Sequence, residues 1–268
     1  METIIATLKR NITMNMRVYR WAFVIGRLAI GINAVLFAYF MYFYLFKGNM
    51  NAKFLSYTGT LDYFSYMVWG AAFYTYAIAI LMNVGRSLMQ ELRDGTLMTL
   101  LITPVKMVNY FAGILAAQIV FSLTEMGAII VFGIILGVHF VICSVFDVII
   151  IVILATLSIY SMSLLLSGIM LYTRDTYLSQ NTMFLFVQFF CGVVFPIQYL
   201  PEVFQKISEC IPFTYALSVF RSVILGQKTL MEMRTDLMIM IILSIVYYTL
   251  AIIIVEKSKF NFIENGFE

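Results

Sequence analysis

The sequence predicts an all-α membrane protein with six transmembrane helices, and three observations support this fold class. The chain of 268 residues is 62% hydrophobic and only 12% charged, whereas soluble domains carry about 25% charged residues. Its apolar runs repeatedly reach the roughly 20 residues that a spanning helix needs. Those runs are also too long for the alternating strands of an outer-membrane barrel. We therefore expect one helical domain in the membrane.

Net charge and cysteine usage exclude two classes of function. The formal net charge is only +3 and the basic residues are scattered, so we expect no nucleic-acid partner. The three cysteines, Cys143, Cys191 and Cys210, have no CxxC or Cys/His spacing, so we expect no metal site.

Residues 1–20 have the pattern of an amphipathic helix. Apolar residues recur every three or four positions on one face, namely Ile4, Leu8, Ile12, Met16 and Tyr19. Basic residues give the segment its polar, positively charged side, namely Lys9, Arg10, Arg17 and Arg20. This pattern is typical of an interfacial helix on anionic lipid, and an unstructured basic tail is the alternative. The rest of the chain, residues 21–268, is expected to form the transmembrane domain.

Aromatic residues crowd the connection between the first two expected spans, residues 22–46 and 62–84. Tyr39 and Tyr42 belong to this group. Such residues usually form the belt at a bilayer interface. Aromatic faces also bind lipid tails and sugar rings, so Tyr39 and Tyr42 are also candidates for a translocation path.

Residues 86–104 are the most charged interval between two apolar runs. Arg86, Arg93 and Asp94 are interspersed with leucines and methionines, which gives an amphipathic surface segment. Gly95 permits a turn with positive φ, and Pro104 closes the segment. It can be a solvated surface loop, or a segment built to contact a soluble partner.

Glu125 lies well inside the third expected span, residues 108–138. A carboxylate at that depth costs about 2.5 to 3.5 kcal/mol, so it should face protein or water. It is either a polar point of a translocation path, including a proton-coupled one, or a hydrogen-bonded contact between helices.

The fourth and fifth spans are expected at residues 148–172 and 177–195. The fourth is rich in serine and glycine, which allows close helix packing. In the fifth, Asn181 and Gln188 are seven residues apart on one face. That face either lines a polar path or hydrogen-bonds to a neighbouring helix.

Residues 196–226 are too interrupted by proline to form one ordinary span. Pro212 separates two apolar pieces, residues 201–211 and 213–225. Each piece is about 20 Å long or less at 1.5 Å per residue, which is shorter than a hydrocarbon core of about 30 Å. We expect a re-entrant hairpin in the outer leaflet, followed by a final span at residues 237–255.

Charge distribution gives the expected orientation of this six-span arrangement. Ten Lys and Arg residues fall in the segments on the side of the two termini, against six on the other side. The positive-inside rule then places both termini in the cytoplasm and the chain in the cell membrane as a multi-pass protein.

Two motifs resemble those of type-2 ABC exporter permeases. The first, at residues 91–104, reads E-x-R-D-G-T-L-x-x-L-L-x-T-P. The second comprises F-P-x-x-x-L-P at 195–201, I-P-F-T-Y-A at 211–216 and F-R-x-x-I-L-G at 220–226. With the six spans, the resemblance extends over almost the whole chain. One departure is Met98, where many relatives carry an acidic residue.

The resemblance implies that substrate transport and ATP hydrolysis are carried out by different chains. The permease would dimerise with a second copy or a homologous permease, and residues 86–104 would form a cytoplasmic coupling helix on a soluble ABC ATPase subunit. The chain has no G-x-x-x-x-G-K-[ST] phosphate loop, so ATP and Mg would be bound by that partner and no cofactor or enzymatic activity is expected here. The residues implied to contact the ATPase are Glu91, Arg93, Asp94, Gly95, Thr96, Leu97, Leu100 and Leu101.

The expected activity is export of an amphipathic substrate such as a drug, lipid, peptide or lipid-linked glycan. Two alternatives remain from the residues alone. One is a membrane assembly protein unrelated to ABC transporters, and the other is a proton-coupled transporter using Glu125. A membrane enzyme would need clustered polar catalytic groups, which one histidine and an isolated Glu125 do not supply.

Overall fold

The computed structural model describes residues 2–18, 20–48, 52–60, 62–139, 141 and 144–265. Within these ranges every regular element is helical. The α-helices are α1 (Glu2–Val18), α2 (Arg20–Phe40), α3 (Ala52–Thr58), α4 (Tyr63–Gly85), α5 (Ser87–Arg93), α6 (Leu97–Ile102), α7 (Met107–Ile135), α8 (Val145–Thr173), α9 (Tyr177–Phe190), α10 (Glu202–Glu209), α11 (Pro212–Ile224) and α12 (Arg234–Asn265). A π-helical turn, Met41–Leu45, continues α2. Tyr19 and Cys143 lie outside the described residues.

Four helices of the described chain are long and apolar enough to cross a membrane: α4, α7, α8 and the Arg234–Ile263 part of α12. The pair α10 and α11 would make a fifth if it is one broken span. The remaining apolar stretches, Gly31–Leu45 and Asn181–Phe190, are shorter. An all-helical membrane protein with four to five candidate spans is therefore established, and the count of six stays a prediction.

The long helices join two ends of the bundle, which we name by their residues. Residues 86–106 form the charged end, and residues 191–228 form the hairpin end. α4 begins at the hairpin end, where Asp62 caps it by accepting a hydrogen bond from the Ser65 amide at 3.0 Å. A side-chain acceptor at the N-cap position pairs with one of the backbone N–H groups that have no partner within the first turn of the helix. α4 ends at the charged end, next to α5.

The core is centred on α4, whose apolar residues are buried on most sides. Phe73 stacks on Phe220 with ring centroids 4.2 Å apart and on Phe213 at 5.7 Å. Both partners belong to α11, so the aromatic stack fixes the hairpin end against α4. On the other side of the bundle, α8 packs along α12, and Ser158 and Ser244 share a hydrogen bond of 2.6 Å. Small residues permit this close approach.

Helix α1 packs directly on α7. A Cβ added at Gly113 would lie 2.7 Å from Thr7 Cβ and 2.8 Å from the backbone oxygen of Ile4, so glycine is what allows this contact. α1 corresponds to the amphipathic helix expected at residues 1–20. It is held by protein contacts, and its position on a lipid surface stays a prediction.

We expect Gly113→Val to separate α1 from α7. Overpacking a close contact costs about 1 to 3 kcal/mol, so amide hydrogen exchange in residues 2–18 should accelerate about tenfold or more. Gly127→Val is the matched control on the same helix, because no heavy atom lies within 4 Å of its added Cβ. Unchanged exchange in the Gly113 variant would show that the contact does not hold α1.

The ends of α9 and α12 differ from the sequence expectation by at least five residues. α9 ends at Phe190, five residues before the predicted end of the fifth span, and is about 21 Å long. α12 continues to Asn265, beyond the predicted limit at 255, because helical hydrogen bonding persists after the apolar run ends. Residues 196–226 contain two short helices, α10 and α11, bent by 88°. Re-entry of this pair into a leaflet stays a prediction.

Candidate functional site

Glu91 is the centre of a polar cluster at the charged end. Its side chain lies on α5 and is only 3% exposed. The carboxylate forms an ion pair with Arg10 of α1 and accepts a hydrogen bond from the hydroxyl of Thr96. Tyr110 of α7 donates its hydroxyl to Glu91 Oε1 at 3.0 Å. One carboxylate therefore connects α1, α5, the start of α6 and α7.

The local sequence explains why α5 ends at Arg93. The Gly95 amide donates to the carbonyl of Leu92 at 3.2 Å, and the Thr96 amide donates to the carbonyl of Glu91 at 2.9 Å. With Gly95 at φ +71°, this is the Schellman arrangement that ends helices at a glycine. The turn brings Thr96 back over Glu91, and α6 begins immediately afterwards.

The turn presents an exposed edge opposite the buried carboxylate. Arg93, Asp94, Gly95 and Thr96 are exposed, and Gln90 donates to Asp94 Oδ1 at 3.1 Å. Ile102 at the end of α6 is 78% exposed. Charged and apolar groups are therefore accessible together on the α5–α6 surface, which suits a protein partner.

A cavity of about 530 Å³ opens beside this cluster. Its lining includes Arg10, Arg86, Glu91 and Gln118. Loss of solvent around its guanidinium and the nearby charge of Arg93 lower the pKa of Arg86, although arginine remains charged at neutral pH. Tyr110 of α7 also lines this space, so the cavity extends from the surface turn to α7.

A second polar centre lies at the hairpin end, on Arg221 of α11. This side chain is 5% exposed. Its guanidinium donates to the carbonyl of Gly192 at 2.6 Å and to the carbonyl of Val193. Its Cζ lies 3.8 Å from the ring centroid of Tyr66 on α4. Arg221 therefore ties α11 to α4 and to the residues that follow α9.

A comparison with protein-family models decides the family of this chain. The model of the ABC-2 family transporter protein matches residues 45–253, which include the charged end, the hairpin end, the whole of α4, α7 and α8, and α12 as far as residue 253. The chain belongs to the ABC-2 transporter family. It is therefore an ABC transporter permease and a multi-pass membrane protein. A search of curated proteins found no match.

Family membership decides between some of the alternatives from the sequence. The ABC-2 assignment excludes a membrane assembly protein unrelated to ABC transporters. ABC-2 permeases are membrane transport components, normally without enzymatic activity, and they associate with an ABC ATPase.

In this ABC-2 permease the residues expected to contact the ATPase divide into two groups. Arg93, Asp94, Gly95 and Thr96 lie on the exposed edge, and Leu100 and Leu101 are half-buried. Glu91 and Leu97 instead face the protein interior, and Leu97 is 1% exposed. Met98, the departure from the family pattern, is half-buried against the core. Contact of any of these residues with an ATPase stays a prediction.

The candidate path residues do not share one helix face. Tyr39 packs against Phe64, with ring centroids 6.0 Å apart, and Tyr42 also faces Phe64. Asn181 and Gln188 lie on α9, where Asn181 is exposed and Gln188 is half-buried. The two pairs therefore lie on different helices with different neighbours, and their role in a path stays a prediction.

Glu125 is 7% exposed on α7 and interacts with neighbouring groups. A hydrogen-bonded contact between helices and a polar point of a translocation path both stay predictions for this residue. A role in proton coupling stays a prediction.

Sequence reasoning missed the partners of Glu91 and the burial of Arg221. The sequence pattern places Arg10 among the basic residues of an interfacial helix, and no motif distinguishes Tyr110. One signal could have revealed Arg221: Thr214, Ser218 and Arg221 recur at spacings of four and three, which places a polar stripe on an otherwise apolar helix.

Proposed function

We propose that this permease is the membrane-spanning subunit of an ATP-driven exporter. It moves an amphipathic substrate, such as a drug, lipid, peptide or lipid-linked glycan, out of the cytoplasm or the inner leaflet. A separate ABC ATPase subunit binds ATP with Mg and supplies the energy. ABC-2 family membership supports the transport role, and the absence of a phosphate loop from the sequence supports a separate ATPase.

The observation that carries this proposal is the bonding of Glu91. The exposed turn at Arg93 and Asp94 continues into a buried carboxylate that is bonded to Arg10 and Tyr110. Displacement of the turn by a partner is thereby transmitted to α1 and to the long helix α7. ATP binding drives transport only if the ATPase binds the two states of the permease with different affinity.

The same proposal includes topology and assembly. The charged end faces the cytoplasm with both termini, the chain crosses the cell membrane six times, and α10 and α11 re-enter the outer leaflet. Two permease subunits pair to enclose the path, in contact with membrane lipids. The excess of basic residues on the side of the termini supports this orientation.

Reversing the two exposed charges, Arg93→Glu with Asp94→Lys, is expected to reduce copurification of the ATPase about tenfold. Both side chains are exposed, so folding should be unaffected, and charge reversal at an interface costs several kcal/mol when complementary charges oppose it. The measurement is the ratio of ATPase to permease after affinity purification of the permease.

Glu202→Lys provides the control, because Glu202 is an exposed charge on α10 at the opposite end. It should leave the ratio unchanged. An unaltered ratio in the Arg93/Asp94 variant would refute docking through this edge. A reduction in both variants would point to a general effect of charge and would also contradict the proposal.

A further inference from the structure

The hairpin end contains a cavity of about 600 Å³ that the transport proposal does not use. Its walls come from α3, the turn after α9, the face of α11 and the first turn of α12. Tyr66 lines this cavity and Asn83 lines the cavity at the charged end. Both residues lie on α4, so the two cavities are separated by about 26 Å of helix.

One face of α11 supplies the polar wall of this cavity. Thr214, Ser218, Arg221 and Ser222 recur with helical spacing and all line it. Gln198 and Gln227 add amides from the segments on either side. The lining is therefore rich in hydrogen-bond donors, although it lies in a mostly apolar protein.

Arg221 has no ion-pair partner in the part of the chain that the structure describes. No carboxylate oxygen of the described residues lies within 4.0 Å of its guanidinium. Its two backbone acceptors, the carbonyls of Gly192 and Val193, are neutral, and its Nε has no hydrogen-bond partner among the described residues. A buried charge without a counterion is costly. An anion in the cavity would lower that cost.

Two further charged groups line the same space. Lys228 adds a second cation and Asp236 adds one carboxylate, so the wall carries a net positive charge. The volume suits a headgroup, since ligand pockets usually measure about 300 to 1,000 Å³. Guanidinium, ammonium, hydroxyl and amide donors together match the several acceptor oxygens of a phosphate better than the two of a carboxylate.

We propose that this cavity binds a phosphate group, held by Arg221 and Lys228 and by the hydroxyl groups of α11. The phosphate belongs either to a lipid headgroup or to a free phosphate ion, which share this chemistry. The inference goes beyond the proposed transport function and does not depend on it, because binding is a property of the permease alone.

The test uses the purified full chain in detergent, incubated with equal amounts of phosphatidylglycerol and phosphatidylcholine. Native mass spectrometry measures which lipid is retained. We expect phosphatidylglycerol to be retained at least several-fold more than phosphatidylcholine. Arg221→Gln and Lys228→Gln should each reduce its retention about tenfold, as the loss of a charge-assisted hydrogen bond predicts.

Two further variants distinguish a loss of binding in the cavity from a general loss of folding. Ser218 is exposed and lines the cavity, so Ser218→Leu should remove a hydroxyl donor, narrow the space and reduce retention without disturbing the core. Lys206 is an exposed cation on α10 outside the lining, so Lys206→Gln should retain phosphatidylglycerol as the wild type does.

Added inorganic phosphate distinguishes the two sources. Displacement of phosphatidylglycerol by millimolar phosphate identifies a site for the phosphate group itself, and resistance to displacement identifies a lipid-headgroup site. Equal retention of the two lipids by the wild type would overturn the proposal. Wild-type retention by both Lys228→Gln and Ser218→Leu would also overturn it, whether or not the Arg221 variant folds.

Discussion

Replacing Glu91 with alanine is expected to destabilise the permease and to detach the α5–α6 surface from the rest of the bundle. The change removes one ion pair and two side-chain hydrogen bonds from a buried site. Breaking a buried pair by removal of one partner costs about 3 to 5 kcal/mol. Arg10 is half-exposed and can return to water, so the lower end of that range applies.

Two measurements follow from this change. Thermal unfolding of the purified permease should occur at a lower temperature, and ATP hydrolysis by the assembled transporter should lose its dependence on substrate. Asp94→Ala is the control on the same segment. Asp94 is exposed and accepts one hydrogen bond from Gln90, so its loss should change stability by about 0.5 kcal/mol or less.

A double-mutant cycle with Arg10→Ala separates the ion pair from the remaining bonds of Glu91. If the pair contributes as the geometry indicates, the two single changes should be non-additive by at least about 0.5 kcal/mol. Full additivity would show that Arg10 and Glu91 do not stabilise each other. Wild-type stability of Glu91→Ala would remove the physical basis for transmission through this cluster.

Gly70→Ala is expected to have a similarly large effect at the opposite end of α4. The added Cβ would overlap the Arg221 guanidinium and lie 2.6 Å from its Cζ. Moving the guanidinium would break its bonds to the carbonyls of Gly192 and Val193. A hydrogen bond from a charged group contributes about 1.5 to 3 kcal/mol. We therefore expect stability to fall by about 3 kcal/mol, measured by thermal unfolding.

The control for this change is a Gly→Ala substitution at a position where the added Cβ meets no neighbouring atom. Gly127 lies on α7 with no heavy atom within 4 Å of an added Cβ, so Gly127→Ala should be neutral or stabilise the helix by up to about 1 kcal/mol. In an Arg221→Gln background, Gly70→Ala should cost much less, since the overlapping group is shorter. An equal cost in both backgrounds would mean that Arg221 is not the obstacle.

The helical class and most element positions could be predicted because they depend on local signals. Long apolar runs identify helices by themselves, and Gly95 and Pro104 mark the turns around α5 and α6. The end of α12 was placed too early because Glu256, Lys257 and Lys259 end the apolar run without ending the backbone hydrogen bonds. Hydropathy reports where lipid contact can continue, and helix formation does not require that contact.

The interior position of Glu91 could not be predicted from its neighbours in the sequence. Its ion-pair partner is 81 positions away, and its own segment shows the charge pattern of a surface loop. Arg221 is a similar case, because the charge count treats it only as one of the six basic residues on the side opposite the termini. In both cases the decisive groups are hydrogen-bond partners contributed by distant elements, and the periodicity of one segment contains no information about them.

The length of α12 has a mechanical consequence. Its 32 residues span about 48 Å, against about 30 Å for a hydrocarbon core, and even a tilt of about 40° would leave part of it in water. Ser258 near the projecting tip donates to the carbonyl of Gly168 on α8 at 2.9 Å. A tilt of α8 by a few degrees would therefore move α12 with it. A rotation of α12 by about 5° would displace its far end by about 4 Å, given its length of about 48 Å.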